Sequence, residues 1–157
     1  MENSLRSVLT AHRFVHGMSP EHLEILCDGA RLATFHTDQI LFDEGEPANE
    51  FYLIQYGKIA LEAKQPGGGK VLLQILRDDD VLGWSWLFSP YVWHLRARVL
   101  EPTRLIVFNA AHLLATAERD HDFGYGLMKR VVHILITRFQ FVRRELLEHY
   151  SGRLTPA

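Results

Sequence analysis

Three sets of residues in this chain could do chemistry: nine histidines, one cysteine, and a run of aromatics between Gly83 and His94. His12 and His16 stand four apart, a spacing that puts two imidazoles on one helical face and makes half a metal site. No Glu lies between them in the zinc-protease pattern and no third ligand is obvious, so a solvated pair is expected and no metal is assigned. Cys27 is alone, so it closes no internal disulfide and completes no four-cysteine cluster. Within the amphipathic run Leu23–Leu32 it is expected to fill the core. No nucleophile–base pair and no P-loop is found, so no catalytic residue is assigned and an enzyme is not expected. The aromatic run is denser: Trp84, Trp86, Phe88, Tyr91 and Trp93, with Ser85 and His94 beside them. Such a set can stack on a flat apolar molecule, and indole N–H groups can donate to it. It can equally well fill a core.

The chain has 157 residues, enough for one domain with a real core. It is 47% hydrophobic and 23% charged, which excludes extended disorder. A net charge of −2 argues against a large phosphate-binding surface. The basic group Lys129, Arg130, Arg138, Arg143 and Arg144 falls on an expected helix close to Glu145 and Glu148, and reads as a solvated face. No run of 18 apolar residues occurs, so no membrane span is expected, and the N-terminus lacks a signal-peptide pattern. The expected location is the cytoplasm.

The elements that would position these residues follow from period and punctuation. Residues 1–30 read as helical, with Ser19-Pro20-Glu21 as a start signal. Over 31–109 the period changes to two, in short apolar runs at Leu32–Phe35, Ile40–Phe42, Phe51–Gln55, Lys58–Ala63, Val71–Leu76, Val92–Leu100 and Arg104–Phe108. Asp43–Pro47, Tyr56-Gly57, Pro66–Gly69, Asp78–Asp80 and Glu101-Pro102 separate them as turns, a spacing that indicates a sandwich or barrel. Residues 110–150 return to helix, with Asn109 capping Ala110–Glu118 and Asp120 or Asp122 capping about Phe123–His149. One apolar stripe of that last helix is Met128, Val131, Leu135, Phe139, Val142 and Leu146; a second is Leu127, Ile134 and Phe141. A helix of about 27 residues is roughly 40 Å long and exceeds what so small a β-unit covers, so a two-fold dimer through this helix is expected. Residues 151–157 are expected to fray as a disordered tail.

The segment ILFDEGEPANEFYLIQYGKIAL, Ile40–Leu61, resembles the signature of cyclic-nucleotide-binding domains of the catabolite-activator and fumarate-nitrate-regulator type. Gly45 and Gly57 stand at its two turns, where positive φ is needed. LRDDDVLGWSWLF resembles the family's Gly-Asp-x-Phe-Gly-Glu segment, with Leu82-Gly83 at its centre, and ITRFQFVRREL resembles its long dimerising C-helix. The fold implied is mainly β: a double-stranded β-helix, or jelly-roll-like β-roll, with N-terminal helices and a long C-terminal helix. Activator-type members add a helix-turn-helix domain. This chain resembles the sensor half without it, so direct DNA binding is not expected.

The nucleotide cassette departs from the family pattern. Trp84 follows Gly83 where ligand-binding members have the Glu that holds the ribose. Trp93 falls where they have the phosphate-clamping Arg, followed by His94 and Leu95 in place of small residues. A cyclic phosphate needs a bidentate cation or a cluster of N–H groups, which tryptophan does not supply. The candidate pocket is therefore Gly83, Trp84, Ser85, Trp86, Leu87, Trp93, His94, Leu95 and Arg96, with Arg143 where the family's C-helix approaches the base. Three readings remain open. The pocket is filled by its own tryptophans and the module works through an unidentified protein partner. Or it senses a small ligand, either another flat molecule or cyclic AMP or cyclic GMP rescued by Arg96 or Arg98. Or it is a haem or metal sensor using His94 or His133. No cofactor is assigned.

Overall fold

The computed structural model describes residues 2–154. Two helices open the chain, α1 (Glu2–Ala11) and α2 (Pro20–Asp28), joined through a 3-10 turn at Arg13–Val15. Ser19 caps α2: its hydroxyl accepts from the His22 N–H, with Pro20 at the first helical position, as the start signal predicts. Six strands follow: β1 (Ala30–Phe35), β2 (Ile40–Phe42), β3 (Glu50–Lys64), β4 (Lys70–Leu76), β5 (Val81–Leu82) and β6 (Arg96–Asn109). All pairings are antiparallel, in the order β1-β6-β3-β4, with β2 on β6 and β5 on β3. This is a β-roll with helices at both ends.

Two of the expected strand boundaries are not boundaries. β3 runs through Tyr56-Gly57 and β6 runs through Glu101-Pro102, and these are the places where their mutual register shifts. Gly57 has φ 125°, and a Cβ there would stand 2.1 Å from Thr103 Oγ1. Thr103 Oγ1 accepts from the Lys58 N–H (3.2 Å) and donates to the Glu101 carbonyl (2.8 Å). Glycine and proline therefore mark a bulge that bends two long strands together, not a chain reversal.

Asn109 caps α3 (Ala110–Arg119) by accepting from the His112 N–H at 2.9 Å. Asp120 accepts from the Phe123 N–H at 3.1 Å at the head of α4 (His121–Leu154). At 34 residues α4 is longer than expected and carries Ser151–Leu154, four residues of the expected tail; the last three lie outside the described residues. Phe123, Leu127 and Val131 are buried against the roll, with Ile134 and Leu135 packed at its edge. Val131 is 2% exposed and so belongs to this inward face, not to the stripe assigned to a dimer. The outward face shows Tyr125, Met128, Val132, Ile136, Phe139, Val142 and Leu146. No helix among the described residues is long and apolar enough to cross a membrane.

Candidate functional site

The family-like cassette folds onto the turn at Asp43–Pro47. The Gly45 N–H donates to the Trp93 carbonyl (2.8 Å), the Trp93 N–H to the Glu46 carbonyl (2.9 Å), and the Ala48 N–H to the Tyr91 carbonyl (2.7 Å). Gly45 reaches this geometry with φ 86°. These bonds fix the backbone on which Trp93 sits, three residues before β6 begins.

The Trp93 ring lies inward, 4% exposed, stacked on Phe42 with centroids 3.8 Å apart and planes 13° off parallel. It also covers Gly83, where a Cβ would meet the indole at 2.5 Å. Gly83 has φ 94°, so shape and backbone both demand glycine there. What remains between Phe42, Leu61, Leu82, Trp93 and Leu95 is a cavity of about 50 Å³, with Ser85 and His94 also lining it.

The other aromatics separate by role. Trp86 is fully buried, packed on Phe51 at 5.0 Å, with its Nε1–H donated to the Gly83 carbonyl at 3.3 Å. Beside it, Leu87 is buried in the same core. Trp84 is half-buried and lies under the guanidinium of Arg138, 4.8 Å from its ring centroid. Phe88 and Tyr91 face outward and take no part in the pocket.

The cation at this site comes from α4. Arg138 stands over Trp84, donates to the Val81 carbonyl, and lines the small cavity. Burial pulls its guanidinium down to about 10, partly offset by Asp80. Arg143, proposed for this place from the family resemblance, is instead exposed farther along α4. Sequence reading missed Arg138 as a site residue, although it continues the inward series Leu127, Val131 and Ile134 at spacings of three and four.

Arg96 and Arg98 lie elsewhere. Arg96 pairs with Asp43 at 2.5 Å, and this bond holds the Asp43 carboxyl below its usual range. Arg98 grips Glu62 through Nε (3.1 Å) and Nη2 (3.2 Å) and reaches Asp38 at 3.3 Å. His12 and His16 form no ligand pair. His12 caps the Arg13–Val15 turn: its Nδ1 accepts from the Phe14 N–H (3.1 Å), which leaves Nε2–H to donate to the Ile54 carbonyl (3.0 Å). At 2% exposure it is a core residue rather than a solvated one. Among the described residues no three His, Cys, Asp or Glu side chains converge as a metal site. Cys27 is half-buried against the core.

A roll closed by a glycine cassette and braced by a long C-terminal helix defines a sensor-type regulatory module. The model of the cyclic nucleotide-binding domain matches residues 32–120, and the chain belongs to that family. It is 28% identical over 83 residues to the CRP-like cAMP-activated global transcriptional regulator of Mycobacterium tuberculosis, a match covering 53% of this chain and 37% of that protein. It is 32% identical over 110 residues to the anaerobic regulatory protein of Bacillus subtilis, covering 69% and 46%. The chain thus spans less than half of either regulator. A cyclic nucleotide-binding domain from Methylobacillus flagellatus has the same fold, with a TM-score of 0.79 over 94% of this chain and 83% of that one at 17% identity.

Proposed function

We propose that this chain is a non-catalytic regulatory module whose nucleotide pocket is occupied by its own side chains, and that it acts as a homodimer through contact with another protein. The observation that carries this reading is Trp93, stacked on Phe42 and pressed onto Gly83, with about 50 Å³ left beside it. Ligand pockets commonly run to roughly 300–1,000 Å³. Arg96 and Arg98, the cations next in sequence, pair with Asp43 and Glu62, which supports the absence of an anion clamp. Arg138 over Trp84 joins α4 to the cassette by direct contact. The outward apolar face of α4 supports the dimer. One relative above is named as a transcriptional regulator, which favours the cytoplasm as the place of action.

A thermal-shift titration with cyclic AMP, cyclic GMP and cyclic dinucleotides tests the reading. A ligand at 100 times its Kd adds about 2.7 kcal/mol, worth roughly 5–10 °C in a chain of this size. The expected shift is under 1 °C for all of them. A saturable rise of several degrees with any one would overturn a self-filled pocket.

A further inference from the structure

A second cavity, of about 560 Å³, lies on the other side of Arg138, between α4, the Asp79-Asp80 turn and the Arg13–Val15 turn. Its size is that of a small-molecule site. Phe14, Leu76, Val81 and Ile134 give it apolar walls, and Arg13, Lys129, Arg130 and Arg138 stand around them with Asp79 and Asp80. Asp80 pairs with Arg13 at 3.4 Å, whereas Asp79, half-exposed and 3.9 Å from the neutral His12 ring, keeps its charge and leaves the cations in excess. Among the described residues no carboxylate lies within 4.0 Å of Lys129, Arg130 or Arg138. The sequence suggested a solvated basic face here, and the structure turns two of its arginines inward. Arg130 gives Nη1 to the Phe14 carbonyl (2.6 Å) and the His16 carbonyl (2.9 Å), leaving its other donors for a ligand. Desolvation pulls both Arg130 and Arg138 below the ordinary guanidinium value, with Asp80 partly offsetting it at Arg138 alone.

We propose that this groove binds an organic anion with an apolar body, its acid group held by Lys129 and Arg130 and its body lying along Phe14, Val81 and Ile134. His133 lines the same stretch, one turn after Lys129. From Arg130 to Arg138 the helix rises about 12 Å at 1.5 Å per residue, which sets the length of the body. The site shares Arg138 with the nucleotide cassette but lies on its other side, and it does not rest on the reading given above for that pocket.

Calorimetric titration of the purified chain with sodium decanoate and with 2-naphthoate, below micelle-forming concentrations, tests the proposal, with decyltrimethylammonium as the charge-reversed control. Saturable binding of one anion per chain is expected, with none of the cation. Gly126→Leu fills the groove from α4, where an added Cβ meets nothing within 4 Å. Lys129→Glu reverses an exposed charge. Both variants are expected to keep the native circular dichroism spectrum and to weaken binding at least tenfold. The site is overturned if neither anion binds saturably, if the cation binds equally, or if Gly126→Leu binds as before. Binding that survives Gly126→Leu and disappears in Phe139→Asp would place the ligand on the outward stripe of α4 and would also overturn it.

Discussion

Trp93 shows how one side chain decides what a pocket is. Its backbone is held by Gly45 and Glu46, and the side chain projecting from it is an indole. The ring finds Phe42 and the bare backbone of Gly83, and it becomes core. Trp93→Ala should therefore cost roughly 3–5 kcal/mol in urea unfolding, the usual loss for truncating a buried tryptophan. A loss below 1 kcal/mol would mean that the ring is a movable lid. The density of aromatics was legible in the sequence, because it is a property of adjacent residues. Which ring faces inward was not, since Trp84, Trp86 and Trp93 differ in how the backbone turns between them. Arg138 lies far along the chain and was grouped with Arg143 and Arg144 as a solvated face, because Glu145 and Glu148 stand close by.

At the scale of elements, period identified nearly every helix and strand, and punctuation misplaced two of their ends. Tyr56-Gly57 and Glu101-Pro102 are turn-forming pairs by composition, yet each sits within one long strand. The reason is tertiary: the two irregularities face each other across the β3–β6 ladder and bend it together. β5 is two residues long and too short to show a period. On α4 the sequence showed two apolar stripes, and burial reassigns Val131 from one to the other. The outward series Tyr125, Met128, Val132, Ile136, Phe139, Val142 and Leu146 recurs at spacings of three and four, one apolar face of the helix, and Leu135 leaves the stripe for the roll. Phe139 is 68% exposed, so a charge there should leave the fold intact. Phe139→Asp is expected to lower the light-scattering mass from twice 18.1 kDa to 18.1 kDa with little change in circular dichroism. A native mass of 18.1 kDa at micromolar concentration would remove the dimer.

For the whole molecule, His12 ties stability to pH. It joins the N-terminal helices to β3 through Ile54, and it does so as a neutral ring, because Nδ1 must accept. Burial pushes its pKa below the ordinary imidazole value of 6.5, against an opposing pull from Asp79. In the window just below 6.5 the unfolded chain then binds the proton more readily than the folded one. This contribution is fully present above that value and is lost as pH falls through the window toward the folded pKa, by up to about 1.4 kcal/mol per unit of depression. The urea midpoint should fall between pH 7.5 and pH 5.5, and His12→Gln should flatten the fall. An equal slope in the variant would assign the effect to other groups.

The order of strands carries a consequence for how the protein is made. β1 and β3 both lie against β6, and β6 is the last strand to be synthesised. A ribosome adds roughly 5–20 residues per second, so after β3 emerges its partner is absent for on the order of a few seconds. During that time the apolar run Phe51–Ile54, buried in the finished roll, has only the two-residue strand β5 to pair with, at Tyr52 and Leu53. The nascent chain therefore passes through an interval with an open strand edge, and its yield in the cell is set as much by what occupies that edge as by the stability of the completed fold.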